Sequence, residues 1–201
     1  MSLTPRERVI AQIKHQETDY LPYTIRFGSD MGEQIEAYGT DVAERLDAYY
    51  GSPAWRDLVD SAIARVLTHN LGVDASTGSI YTDVYGTWWR VDRRPFHLAE
   101  PALKTPSLQG YTFPDVDTFF GAAWKQRTLQ AIEQAQDHFV VVGFGFGLWE
   151  RAWTLRGFDS ALMDAAGEPD FFEELLDRIT EHQLAIIGRL VELPVDGVMF
   201  S

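Results

Sequence analysis

"HFVVVGFGFGLWER" occupies residues 138–151, and the reading of its glycines decides the fold. An apolar run, then Gly143, Gly145 and Gly147, then a helix-like segment is how a nucleotide-binding loop opens. The dinucleotide fingerprint, however, needs Gly-x-Gly-x-x-Gly at a strand-to-helix turn, and Leu148 stands where the last glycine belongs. The next strand begins near Val195, about fifty residues after Gly145, whereas a Rossmann βαβ unit takes roughly thirty. No Gly-Lys-Ser/Thr occurs anywhere, so a Walker loop is excluded as well. The stretch fits instead a buried strand read at a period of two. Val140, Val142, Phe144 and Phe146 fall on one face, and Phe139, Val141, Gly143 and Gly145 on the other. A glycine face lets a ligand or another backbone come close, and tight packing alone is the competing reading.

Outward from this strand the pattern alternates. A helix is expected from about Asp117 to Asp137, and a short one over "FDSALMDAA". Glu168-Pro169 opens a long helix in which Phe172, Leu175, Leu176, Ile179, Ile186 and Leu190 recur at helical spacing. "VDGVMFS" (195–201) reads as a buried strand. Helix, strand, helix, strand is the order of an α/β fold with parallel strands.

The first part is more helical. Thr4-Pro5-Arg6-Glu7 combines a cap, a first-turn proline and a capping-box acid, and predicts a helix to about His15. "YLPYTIRF" (20–27) reads as a strand, residues 30–50 as two helical pieces broken near Gly39, and Pro53 to Leu67 as a further helix. Between residues 71 and 91, Tyr81, Val84, Trp88 and Trp89 carry β character, punctuated by Gly78 and Gly86. Residues 93–119 contain Pro95, Pro101, Pro106 and Pro114 and form an extended excursion whose aromatic residues predict that it packs on the domain.

Composition narrows the partners. The net charge of −13 argues against a nucleic-acid surface or an anionic membrane, both of which call for clustered Lys and Arg. No run approaches the roughly 18 apolar residues of a membrane span, and the N-terminus lacks a signal-peptide core. With no cysteine, disulfides and thiolate metal sites are excluded for these residues. The histidines form no His-x-x-x-His or Glu-x-x-His pair, so no metal site is expected within the chain. A cytoplasmic protein acting on a small molecule is the expectation.

Several segments, in order, resemble the uroporphyrinogen decarboxylase superfamily. They are "LTPRERVIAQIKHQETDYLPY" (3–23), "LGVDA" (71–75), "TDVYGTWWRV" (82–91), "YTFPDVDTF" (111–119), "FGLWERAWTLRGFDSALMDAAGEPDFFEELLDRI" (146–179) and "VDGVMFS". The resemblance implies a (β/α)8 TIM-type barrel, of which residues 1–201 are the N-terminal part: a helical segment over 1–70, the excursion over 93–119, and about four strands in all. In such barrels the functional groups gather at the C-terminal strand ends.

Two branches follow from the resemblance, a decarboxylase-like enzyme as the first expectation and a methyltransferase as the alternative. In the decarboxylases an Arg-rich loop after the first strand grips substrate carboxylates, since a guanidinium fork matches them. Here "IRFGSDMGEQ" offers Arg26 for one arginine, with Asp30 and Glu33 of opposite charge. Asp83 is the nearest match to the aspartate that stabilises the protonated macrocycle, a solvated turn being its other reading. The site would further hold Phe144, Phe146, Trp149 and Glu150, with Asp83 in the catalytic role. That branch implies no cofactor. The other is a zinc-dependent methyltransferase with a corrinoid protein or a thiol as partner, its zinc ligands outside this chain. Glu150 and Arg151 sit together at the strand-to-helix turn, where a helix dipole alone also favours Glu. His182 reads as packed or solvated. If the natural chain ended at Ser201, the half-barrel would expose strand edges and predict a homodimer or a non-enzymatic module completed by a second polypeptide.

Overall fold

The computed structural model describes residues 3–22, 63–67, 78–92 and 95–200, with the backbone alone for residues 63–67, Phe144 and Phe200. The chain divides into two compact units, Met1–Arg65 with Ile132–Val141 and Val66–Ala131 with Val142–Ser201.

In the first unit, helix α1 (Pro5–Ile13) starts at the capping box that its sequence encodes. Thr4 Oγ1 accepts the Glu7 N–H at 3.1 Å while Glu7 Oε2 accepts the Thr4 N–H at 2.8 Å. Arg8 lies under the helix at 2% exposure, its fork on both oxygens of Asp19 and its guanidinium 3.7 Å from the Tyr20 ring centre. The Arg6 N–H donates to the Asp137 carbonyl and ties α1 to the segment before the glycine-rich strand.

Strand β1 (Ile63–Leu67) corrects the sequence reading, which continued a helix through these residues. The Ile-Ala-Arg-Val-Leu run is short and contains β-branched residues, and pairing within a sheet overrides its helical spacing. The strand expected at 20–27 falls largely outside the described residues, as do the helices expected over 30–50 and 53–62.

The second unit begins with an antiparallel sheet of β2 (Ile80–Thr82), β3 (Trp88–Arg90) and β4 (His97–Glu100). Ile80 pairs with Arg90 and Thr82 with Trp88, so Asp83 to Thr87 form the connecting turn. A bulge between Trp88 and Trp89 shifts the β3–β4 register. Trp89 is buried at 4% exposure while Trp88 points outward at 46%, the alternation of a strand with one covered face.

The excursion after β4 is held down along its length. The Leu103 N–H donates to the Leu155 carbonyl, Arg156 reaches the Leu103 and Lys104 carbonyls, and the Tyr111 hydroxyl donates to the Tyr85 carbonyl. The helix expected from Asp117 is divided into a 3-10 turn (Val116–Phe119) and α2 (Ala122–Gln134). Asp115 explains the first start, since its Oδ1 accepts the Asp117 N–H and its carbonyl accepts the Thr118 hydroxyl.

Strand β5 (Phe139–Phe144) leads through Gly147 into α3 (Leu148–Arg156), followed by α4 (Phe158–Gly167), α5 (Pro169–Leu190) and β6 (Gly197–Phe200). The strand order is β1-β5-β6, so three helices intervene between two neighbouring strands. Val140, Val141 and Val142 are all buried, so both faces of β5 are covered. Helix α3 gives way to α4 at Gly157, whose φ of 89° is accessible to glycine at little cost. Helix α5 buries Phe171, Leu175, Ile179, His182, Ile186 and Leu190, one stripe at helical spacing. Leu175 and Ile179 join Tyr85, Leu103, Ala152 and Leu155 in the core, each large aliphatic contributing about 1.5–3 kcal/mol on burial. Among the described residues no helix is long and apolar enough to cross a membrane.

Candidate functional site

The β2–β3 turn, the β5–α3 turn and the middle of α5 bring their polar side chains to one place within the second unit. Asp83 is buried at 5% exposure, and the hairpin occupies its carboxylate. Oδ1 accepts the N–H groups of Tyr85 and Thr87, each at 2.9 Å, and Oδ2 accepts the Trp89 indole N–H at 3.0 Å. The Asp83 backbone completes the turn, donating to the Thr87 carbonyl and accepting from Gly86. The turn therefore aims Tyr85 inward.

Tyr85 stands at the centre of the cluster. Its hydroxyl lies 3.1 Å from His182 Nε2, and the two rings meet edge to face at 5.6 Å. Phe113 and Phe119 also pack on the imidazole, with ring centres at 5.3 and 6.1 Å. Burial, assisted by the nearby Arg151 charge, lowers the His182 pKa to about 4, so the ring is neutral near pH 7. Burial pushes both the Tyr85 and Tyr111 phenols up, and they too are neutral there.

Arg151 supplies the positive charge. It enters from the first turn of α3 at 2% exposure, with its guanidinium 3.6 Å from the Tyr85 ring centre and 4.9 Å from that of Phe146. Its Nη1 is buried with no hydrogen-bond partner. Burial lowers its pKa, an effect opposed by Tyr85, Asp83, Tyr111 and Glu150. Arginine nevertheless stays protonated under all ordinary conditions.

Phe146 forms the other wall. It stacks on Trp89 with ring centres 6.0 Å apart and planes 9° from parallel, and Trp89 meets Trp153 edge to face. Its φ of 63° is left-handed, a conformation rare for a bulky residue. Gln183 Nε2, from α5, donates to its carbonyl at 2.9 Å.

The residues singled out in the sequence are therefore distributed unevenly. Asp83 and Phe146 border the cluster. Glu150 lies in the same turn and accepts the Gly147 N–H through Oε2 at 3.3 Å, closing the helix start. Trp149 points elsewhere, 38% exposed, against Phe158 and Phe172. Gly145 is exposed, and a side chain there would meet open space, so close packing does not require glycine at that position. Arg26 and the Phe144 side chain lie outside the described residues. Sequence reasoning did not assemble Tyr85, Tyr111, Arg151 and His182. For His182 a sequence signal existed, because it occupies a core position of the α5 stripe between Ile179 and Ile186.

Among the described residues no three His, Asp or Glu side chains converge as metal ligands, and the chain has no cysteine. This donor set does not fit a zinc ion on its own. What the cluster offers is one buried cation with a free N–H, neutral phenols, a neutral imidazole and aromatic walls. That is the equipment for binding and orienting a small molecule with an anionic group.

Comparison with known proteins returns a likeness of fold. No protein-family model matches the chain, and no curated protein matches it. Among solved structures, a methyltransferase from Methanosarcina mazei superposes with a TM-score of 0.55 at 19% identity, over 98% of this chain and 58% of that one. The chain thus spans 58% of that protein's length and shares its fold over nearly all of its own residues.

Proposed function

We propose that this chain is part of a methyltransferase-like enzyme built on a (β/α)8 barrel, with its small-molecule site at the β5–α3 turn. The observation that carries the reading is the fold likeness to the Methanosarcina mazei methyltransferase over 98% of the chain. The position of Arg151 and Phe146 supports it, since barrel enzymes draw their functional groups from strand-to-helix turns. In this reading Phe146, Trp89 and Tyr85 shield the substrate from water, and Arg151 orients it through charge. A zinc ion, where the reaction uses one, takes its ligands from outside this chain, and a corrinoid protein or a thiol is the methyl-transfer partner.

Decarboxylation of a carboxylated tetrapyrrole stands behind methyl transfer. It would ask Asp83 to face the substrate, yet both of its oxygens already accept N–H groups of its own hairpin. The test uses the full gene product with methylcobalamin and a simple thiol, with zinc supplied, and follows the loss of the methyl–cobalt absorption. Catalysed demethylation is the expected result. Carbon dioxide release from uroporphyrinogen without methyl transfer would replace this reading with the decarboxylase one. Absence of both activities would favour a non-enzymatic module.

A further inference from the structure

We infer that Arg151 is the anchor for a carboxylate group on the substrate, so that the enzyme's small molecule is a carboxylic acid. The inference rests on the small-molecule site proposed at the β5–α3 turn and names the ligand chemistry that the site selects.

The other charged side chains buried among the described residues are held by direct partners. Arg8 is held by both oxygens of Asp19, and Arg156 lies 2.7 Å from Asp164 Oδ2. Asp83 is neutralised by three N–H donors. Arg151 is as buried as Arg8, yet none of the ion pairs among the described residues includes it, and Nη1 has no partner. Its stabilisation comes from the faces of Tyr85 and Phe146. A cation–π contact is worth about 0.5–2 kcal/mol, whereas removing a cation from water costs several. Burying arginine without an anion in direct contact therefore works against stability, the trade expected at a binding site.

Its surroundings define the missing anion. Helix α3 directs the positive end of its dipole toward the Phe146–Gly147 turn, beside the guanidinium. Among the described residues, the titratable groups that face Arg151 are Tyr85, Tyr111, Asp83 and Glu150, together with His182, which is neutral at pH 7. No second cation adjoins it among these groups, and two carboxylates lie in its field. Among the described residues a doubly charged phosphate would meet the positive charge of Arg151 alone. A singly charged, planar carboxylate matches the guanidinium fork. The aromatic walls suit an apolar body behind the carboxylate.

The experiment labels arginine with 15N and 13C and follows the Arg151 guanidinium resonances of the full chain during titration with acetate, benzoate, inorganic phosphate and chloride. Arg151→Lys supplies the assignment. The expected result is a saturable shift with benzoate and acetate, absent with chloride and weaker with phosphate. In parallel, Arg151→Met is expected to bind benzoate about thirtyfold more weakly or worse, as when a buried charge pair loses one member. Without ligand, this variant should melt at or above the wild-type temperature, because the unpaired charge is gone. A purely structural arginine would lower that temperature. If no carboxylate moves the Arg151 resonances, the inference is overturned. If phosphate moves them most, the ligand class is wrong. Neither result depends on methyl-transfer assays, so the proposed activity stands or falls separately.

Discussion

Replacing Asp83 separates a residue that holds the hairpin from one that acts on substrate. In the native turn, Oδ1 accepts two backbone N–H groups and Oδ2 accepts the Trp89 indole, all at 5% exposure. Asp83→Asn retains a carbonyl oxygen for Tyr85 and Thr87 but turns an NH2 group toward the indole N–H. Two donors then face each other, and the loss is one buried bond with both partners unsatisfied, about 1–3 kcal/mol. Asp83→Ala orphans all three donors. Their costs do not add fully, and about 3–6 kcal/mol is expected. Against a typical total of about 5–15 kcal/mol, the alanine variant approaches unfolding.

The assay is urea unfolding followed by tryptophan fluorescence, because Trp89 reports on the bond in question. With a slope of about 1–3 kcal/mol per molar urea, a loss of 2 kcal/mol moves the midpoint down by about 1 M. The asparagine variant should show that shift and the alanine variant a larger one. Benzoate affinity should fall only in proportion to the unfolded fraction. An asparagine variant with unchanged midpoint but no ligand binding or turnover would refute the structural role and return Asp83 to the catalytic one.

Three further perturbations bear on the same unit. The His182 pKa is lowered from 6.5 to about 4, so the unfolded chain binds the extra proton between those values. Stability is therefore complete above about pH 6.5 and declines as pH falls toward 4, with a slope of at most about 1.4 kcal/mol per pH unit from this group. His182→Gln should flatten that part of the stability–pH curve, and a difference curve without slope would contradict it. Asp164→Ala leaves the Arg156 guanidinium buried without its carboxylate partner and should cost about 3–5 kcal/mol in chemical unfolding, while Arg156→Met with Asp164→Leu should recover much of it. Leu155→Ala, at a fully buried core position, should cost about 2–5 kcal/mol, read as a lowered thermal midpoint.

The sequence made the helices of this chain legible where local chemistry settles them. The Thr4–Glu7 capping box and the Glu168-Pro169 start both depend on residues within one turn. β1 was not legible, because apolar residues in a five-residue run fit either period and only sheet pairing decides. The buried cluster was legible at its border through Phe146, Glu150 and Asp83, which lie at turns. Its centre was not. Tyr85 and His182 are separated by 97 positions along the chain, and nothing local announces that a hydroxyl will reach an imidazole. Arg151 was visible as a charged residue at a helix start, but its lack of a partner exists only after folding.

Phe146 shows why the glycine-rich stretch takes the form it does. The chain needs a left-handed residue to leave β5 and enter α3, and Gly145 and Gly147 stand on either side as conformationally cheap choices. The turn instead places the phenylalanine at φ 63°, at a cost of order 1–3 kcal/mol. Three contacts hold it there: the Trp89 stack, the Gln183 bond to its carbonyl, and the Arg151 cation near its ring. A glycine would relieve the strain and remove the wall. In this strained conformer the ring completes the aromatic enclosure of Arg151, and Phe146 itself makes the left-handed turn, since Gly147 has a φ of −63° and Gly145 is not in the left-handed region.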